Sequence, residues 1–283
     1  MDNKIYENAG SNALIIAIFS FFVPIIPIVY FIFLKKIDKT AVYLILIGAG
    51  TFVVFALILE RIVHYFVFFI FPQLKNTIWP YYTYGGLMAA LFEETGRLVI
   101  FFLLKNKQNI IENNLNSIFY GIGHGGIEVY MLVTLNNFVA YFYSKKAIEN
   151  KLEPKQLEVL KNTFISFSKV SSSDIFYVIY ERIVTVNYHI CASVIVWIGV
   201  MKNKIYLYFI ALLLHFLTDF SIGISLEFKY YSKMRSLLYI VLSDMSILTL
   251  IIAMILWIKY IDNESKDISV NDSLPMVTDG NEI

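Results

Sequence analysis

The chain has 283 residues, of which 58% are hydrophobic, 17% aromatic and only 16% charged, with a formal net charge of +1 and a mean hydropathy of +0.66. Soluble chains carry roughly 25% charged residues, so there is too little polar surface here to cover a water-soluble globule, and without a net positive field or a basic stripe no nucleic-acid partner is expected. The single cysteine, Cys191, excludes an intrachain disulfide and lies in an apolar run without metal-type Cys spacing.

In chain order, long apolar runs separated by short lysine-bearing breaks predict seven spans: Asn12 to Leu34, Thr40 to His64 with an apolar extension to Phe71, Pro80 to Leu104, Asn116 to Tyr143, Asp174 to Met201, Ile205 to Leu226, and Ser236 to Ile258. The first reads as a retained span, because its apolar stretch exceeds a signal-peptide core, no basic cluster precedes it and no small-residue cleavage site follows. Between the fourth and fifth spans, the polar segment Ser144 to Val170 holds Pro154 followed by Leu157, Leu160 and Phe164 on one helical face, an interfacial amphipathic helix. Ser171 and Asp174 form a capping box opening the fifth span. From Ile261 onward there are six acids, one lysine and no apolar run, which predicts a disordered tail. The expected fold is therefore an all-α polytopic membrane bundle over residues 1–260 with an acidic tail over 261–283.

Lys35, Lys36, Lys39, Lys105, Lys107, Lys202, Lys204 and Lys259 fall on one side of this bundle, while Lys4, Lys75, Lys229, Lys233 and Arg235 occupy short segments on the other. Discounting the long fourth-to-fifth loop, this places the amino end outside and the carboxyl end in the cytoplasm. The abundance of Lys, Asn and Ile with few arginines suggests an AT-rich bacterial genome and a multi-pass protein of the plasma membrane, with the lipid bilayer as its first partner.

A charge at the centre of a lipid-facing helix costs on the order of 2.5 to 3.5 kcal/mol on insertion scales, so each one present needs a reason. The spans contain the acids Glu60, Glu93, Glu94, Glu128, Glu181, Asp219 and Asp244, the arginines Arg61, Arg97 and Arg182, and all four histidines, His64, His124, His189 and His215. Seven acids against three arginines leave a deficit of positive charge that protons, histidinium or a bound metal ion must offset. Spacing of four residues pairs Glu93 with Arg97, His124 with Glu128, His215 with Asp219, and Glu60 with His64, and a spacing of seven aligns Arg182 with His189. Counted from the lysine-marked ends at about 1.5 Å per residue, Glu93, Glu94, His124, His189 and His215 all lie roughly 12 to 18 Å from one face. Glu128 and Asp219 follow one turn deeper, and Glu60 and Glu181, each followed by Arg-Ile-Val, form a separate layer near the other face. Matched depths on antiparallel helices predict a polar interior cavity.

Within the adjacent pair Glu93 and Glu94, a salt bridge to Arg97 satisfies one carboxylate and leaves the other to take a proton from water. Gly121, Gly123, Gly125 and Gly126 around His124 strip a helix of side chains, which suits close approach of a neighbouring helix or a substrate. His215 and Asp219 fit either a carboxylate orienting an imidazole or joint polarisation of a water. Glu181 and Arg182, about 100° apart on their helix, are expected to pair with other spans rather than with each other. Glu60, His64 and Asp244 are assigned structural or topological roles.

The order Glu93-Glu94-Thr95-Gly96-Arg97, Gly121-x-Gly-His124-Gly-Gly-x-Glu128, Glu181-Arg182 and His215-x-x-x-Asp219 on four successive spans resembles the YhfC family of intramembrane metalloproteases, over about residues 40 to 258. That family is similar in turn to PrsW and to the CAAX-prenyl and bacteriocin-processing (CPBP) endopeptidases. The resemblance implies an intramembrane peptidase acting on a membrane protein or lipidated peptide. In it, Glu93 or Glu94 activates water and His124 and His215, with Asp219, hold a zinc ion or steady the oxyanion; a metal-free glutamate mechanism is the alternative. Arg97, Glu128, Glu181, Arg182 and His189 are the supporting set. Two departures, an arginine one residue earlier than in the CAAX type and Asp219 in place of asparagine, weigh against prenylated substrates more than against hydrolysis. Two other classes use the same residue types: a proton-coupled transporter or channel, and an inactive membrane-binding or immunity protein.

Overall fold

The computed structural model describes residues 3–107, 110, 113–227 and 232–262. Lys229 and the expected acidic tail beyond residue 262 lie outside the described residues. Helix α1 (Asn3–Phe22) is followed by α2 (Ile25–Phe33). The first expected span is thus broken at Pro24, which lacks an N–H and whose ring opposes the preceding turn. Asp38 then caps α3 (Lys39–Phe52) by accepting the Ala41 N–H at 2.7 Å. The helix continues through a π-helical stretch, Val53–Glu60, into α4 (Arg61–Ile70), so the apolar extension belongs to the same rod.

Next come α5 (Ile78–Leu104), α6 (Asn116–Glu128), a second π-helical stretch (Val129–Thr134) and α7 (Leu135–Ile148). They are followed by α8 (Pro154–Ser168), α9 (Ser172–Met201), α10 (Tyr206–Glu227) and α11 (Ser232–Trp257). Among the described residues, six of the resulting rods are long and apolar enough to cross a membrane. α5 has the length as well, 27 residues or about 40 Å, but it concentrates Glu93, Glu94 and Arg97 within its apolar stretch.

Helix α9 is the axis of the bundle. Its apolar stretch is 78% buried, against 56% for the α6–α7 rod and no more than 28% for the other candidate spans. Its neighbours are α1, α5, α6, α10 and α11. Phe101 on α5 meets Tyr120 on α6 and Trp197 on α9, with ring centroids 4.6 and 5.1 Å apart, at the centre of the largest apolar cluster. The outer helices turn Phe33, Leu46, Phe69, Leu103, Phe142 and Phe209 outward, as expected where hydrocarbon is the solvent.

The glycines around His124 make close helix packing possible. A Cβ on Gly123 would lie 1.9 Å from the Ile45 carbonyl oxygen of α3, and one on Gly121 would lie 2.6 Å from Ile190 Cα of α9. α6 is therefore clamped backbone to backbone between α3 and α9.

The box at Ser171 and Asp174 is present, with each residue's side chain accepting from the other's backbone N–H. Helix α8 begins with a similar box, Glu153 with Gln156. Its predicted apolar face meets protein: Phe164, Leu157 and Leu160 pack with Tyr6 and Ala9 of α1 and Ala147 of α7. Asn12 Nδ2 donates to the carbonyls of Phe167 at 2.9 Å and Val170 at 3.1 Å, which ties the end of α8 to α1.

Candidate active site

Four helices bring the site together. Glu93 and Glu94 come from α5, His124 and Glu128 from the end of α6, Glu181, Arg182 and His189 from α9, and His215 and Asp219 from α10. Glu93, Glu94, Arg97, His124, His189 and His215 are all buried. Glu93 stands at the centre. Its Oε2 accepts from His124 Nε2 at 2.9 Å and lies 3.9 Å from His189 Nδ1 and 4.0 Å from His215 Nε2. The three imidazoles form a row, with ring centroids 4.9 Å apart from His124 to His189 and 5.6 Å from His189 to His215.

Each ring is oriented by a carboxylate. His189 Nε2 meets Glu128 at 2.5 Å, which leaves Nδ1 to accept from Arg97 at 3.1 Å. His215 Nδ1 donates to Glu94 Oε1 at 2.8 Å, and its Nε2 faces Asp219 at 3.5 Å. His124 uses Nε2 on Glu93, while its buried Nδ1 has no hydrogen-bond partner among the described residues.

Several pairings differ from those the helical spacing predicts. Arg97 pairs with Glu94, three residues before it, and not with Glu93. Glu94 is wholly excluded from the cavity and needs a permanent cation, whereas Glu93 reaches a cavity wall and an imidazole. Glu128 does not pair with His124. The missing side chain at Gly125 lets His189 enter from α9, since a Cβ there would lie 3.1 Å from His189 Cβ, and His189 takes Glu128 instead. Arg182 bonds Glu181, its chain neighbour, contrary to the expectation that the two would pair elsewhere. It also approaches Glu128 at 3.6 Å, so Arg182 and His189 do converge as their spacing implies. The expected outer layer divides. Glu181 lines the same cavity as Glu93, while Glu60 accepts from His64 Nε2 at 3.0 Å, and His64 Nδ1 meets the Tyr84 hydroxyl at 2.8 Å, none of the three lining that cavity. Asp244 is exposed and does not line it either.

The cavity has a volume of about 370 Å³. Its walls include Glu93, Glu128, Glu181, Arg182, His189, His215 and Asp219, together with residues whose role the sequence did not signal, Tyr81, Tyr82, Gly85 and Thr185. The adjacent glycines at 85 and 86, inside an apolar helix, were the available signal. The walls lie level with Glu93 or on the side of it away from the ends marked by Lys105 and Lys202.

A set of donors with metal-ligand spacing is also present. Glu93, His124 and His189, all buried, offer ligand atoms within 4.8 Å of one another. Two imidazoles and a carboxylate match the chemistry of an open catalytic zinc site. His189 thus joins His124 in that set, while His215 and Asp219 stand beside it across Glu93.

A polytopic helical bundle enclosing a buried glutamate–histidine centre defines a membrane protein with an intramembrane polar site. The chain belongs to the YhfC intramembrane metalloprotease family, whose model matches residues 19–241. It is 31% identical over 124 residues to the uncharacterized membrane protein YhfC of Bacillus subtilis (strain 168), an alignment covering 42% of this chain and 46% of that protein. The match thus spans less than half of that relative's length. No solved structure matches.

Proposed function

We propose that this protein is an intramembrane endopeptidase of the bacterial plasma membrane, hydrolysing a peptide bond of a membrane-embedded or membrane-proximal polypeptide. The observation that carries the reading is Glu93, a buried carboxylate on a cavity wall with His124, His189 and His215 within 4.0 Å. The metal named in the family description fits this chain, with Glu93, His124 and His189 as its holders once His189 Nδ1 gives up the Arg97 N–H that it accepts in this structure. Bound there, a zinc-like ion would acidify a water molecule and polarise the substrate carbonyl.

The protein's own groups supply the proton transfers. Glu93 fixes the reacting water from the cavity wall, and Glu94, locked between Arg97 and His215, positions without touching the cavity. Glu94, accepting from Nδ1–H, holds His215 in one orientation and leaves Nε2 to take the water's proton; Asp219, 3.5 Å from Nε2, then stabilises the imidazolium until that proton passes to the leaving amine. Glu128 orients His189 in the same manner, with Arg182 supplying the charge that faces it. The one-sided walls of the cavity weigh against an open channel, which needs a continuous path to both faces.

The test is elemental analysis of purified protein combined with cleavage of candidate membrane substrates. Glu93→Gln, His124→Ala and His189→Ala are expected to lose both metal and cleavage. His215→Ala is expected to keep the metal and to lose turnover by about 10²-fold or more. Full cleavage by the Glu93 and His215 variants would overturn the reading.

A further inference from the structure

Two consecutive glycines on α5 face different surroundings. A Cβ on Gly86 would lie 2.9 Å from the Phe220 backbone nitrogen and 3.3 Å from the Phe216 carbonyl oxygen, so packing against α10 requires that glycine. A Cβ on Gly85 would meet nothing within 4 Å among the described residues. Glycine inside a helix lowers its stability relative to alanine, and no neighbour among the described residues asks for it at position 85. The open space beside Gly85 belongs to the cavity that also exposes Glu93, His189 and His215.

From these observations, and resting on the peptidase reading, we propose that Gly85 is the floor of a subsite that takes a bulky apolar side chain of the substrate. The surroundings are of that character. Tyr81 and Tyr82 precede Gly85 on α5, with ring centroids 5.2 Å apart, and Ile222 and Gly223 line the wall contributed by α10. The Tyr82 ring lies against Gly223, where a Cβ would come within 2.5 Å of its Cδ1, so this end of the cavity is walled by aromatic faces. Gly85 is eight residues from Glu93, about 12 Å along the helix axis. An extended peptide advances about 3.3 Å per residue, so a strand with its scissile carbonyl at Glu93 places its third or fourth neighbouring residue at Gly85. The substrate class is thereby narrowed to extended segments with a large aliphatic or aromatic residue at that distance from the cleaved bond.

The test uses the full chain in proteoliposomes. The native thiol, Cys191, is buried, so Gly85→Cys introduces the reactive position. N-phenylmaleimide is expected to label this variant and not the wild type, and the labelled protein is expected to melt where the unlabelled one does. In the second arm, Gly85→Leu is offered a library of single-span peptides, and cleavage sites are read by mass spectrometry. Bulky residues three or four positions from the cut are expected to lose about tenfold against small ones, with metal content unchanged. A Gly85→Cys variant that resists the reagent, a label that unfolds the bundle, or an unshifted preference in Gly85→Leu would each overturn the subsite. A wild type that is inert toward every peptide overturns the peptidase reading and the subsite with it, whereas an active wild type with an unshifted preference in Gly85→Leu overturns the subsite alone.

Discussion

Arg97 is completely excluded from water, and its guanidinium serves both Glu94 and His189. Removing one partner of a buried ion pair leaves the other as an uncompensated charge, at a cost of about 3–5 kcal/mol. Arg97→Ala is therefore expected to unfold at markedly lower denaturant than wild type, and Glu94→Gln/Arg97→Met to recover much of the loss, as measured by denaturant titration of the purified protein. An Arg97→Ala variant as stable as wild type would contradict this account of the pair. Such partner choices are only half visible in sequence. Spacing shows which residues share a helix face, and it correctly joins Glu60 to His64 and His215 to Asp219. It could not show that Arg97 prefers Glu94, because that depends on which of two neighbouring carboxylates reaches a cavity. Nor could it show that His189 completes the donor set with Glu93 and His124, although the matched depth of the three was legible.

At the scale of the helix, the clamp on α6 depends on atoms that are absent. Gly123→Ala places a methyl group 1.9 Å from the Ile45 carbonyl oxygen. α3 and α6 must then separate, shifting His124 from Glu93, at a cost of typically 1–3 kcal/mol or more. The expected outcome is reduced stability together with reduced metal content. An equally stable variant with a full metal complement would remove the clamp from the argument. The long apolar runs and the capping box at Ser171 and Asp174 were legible because hydropathy and cap chemistry are local. The π-helical stretches at Val53–Glu60 and Val129–Thr134 were not, since no local residue pattern announces them. The second begins immediately after Glu128, and π segments often mark functional positions.

For the molecule as a whole, a metal shared by α5, α6 and α9 would connect site occupancy to global stability. Ligand present at a hundred times its dissociation constant stabilises the fold by about 2.7 kcal/mol, so a chelator is expected to lower the melting temperature of wild type and not of His124→Ala. Identical shifts in both proteins would dissociate the metal from this site. Seven spans also require the two ends to lie on opposite faces, which reporters fused before residue 3 and after residue 262 should reveal. Reporters on the same face would remove one span.

Helix α1 finds its polar partners far along the chain: Asn12 on the carbonyls of Phe167 and Val170, and Ser20 on the Thr134 hydroxyl at 2.9 Å. During synthesis at about 5–20 residues per second, some 150 residues must follow Asn12 before its acceptors exist, an interval of roughly 8 to 30 seconds. For that time Asn12 lacks the carbonyls it donates to in the finished bundle, while the Ser20 hydroxyl can rest on the Ala17 carbonyl of its own helix at 3.2 Å. The amino-terminal helix, first to enter the membrane, is thus locked to its polar partners only once α8 has followed it.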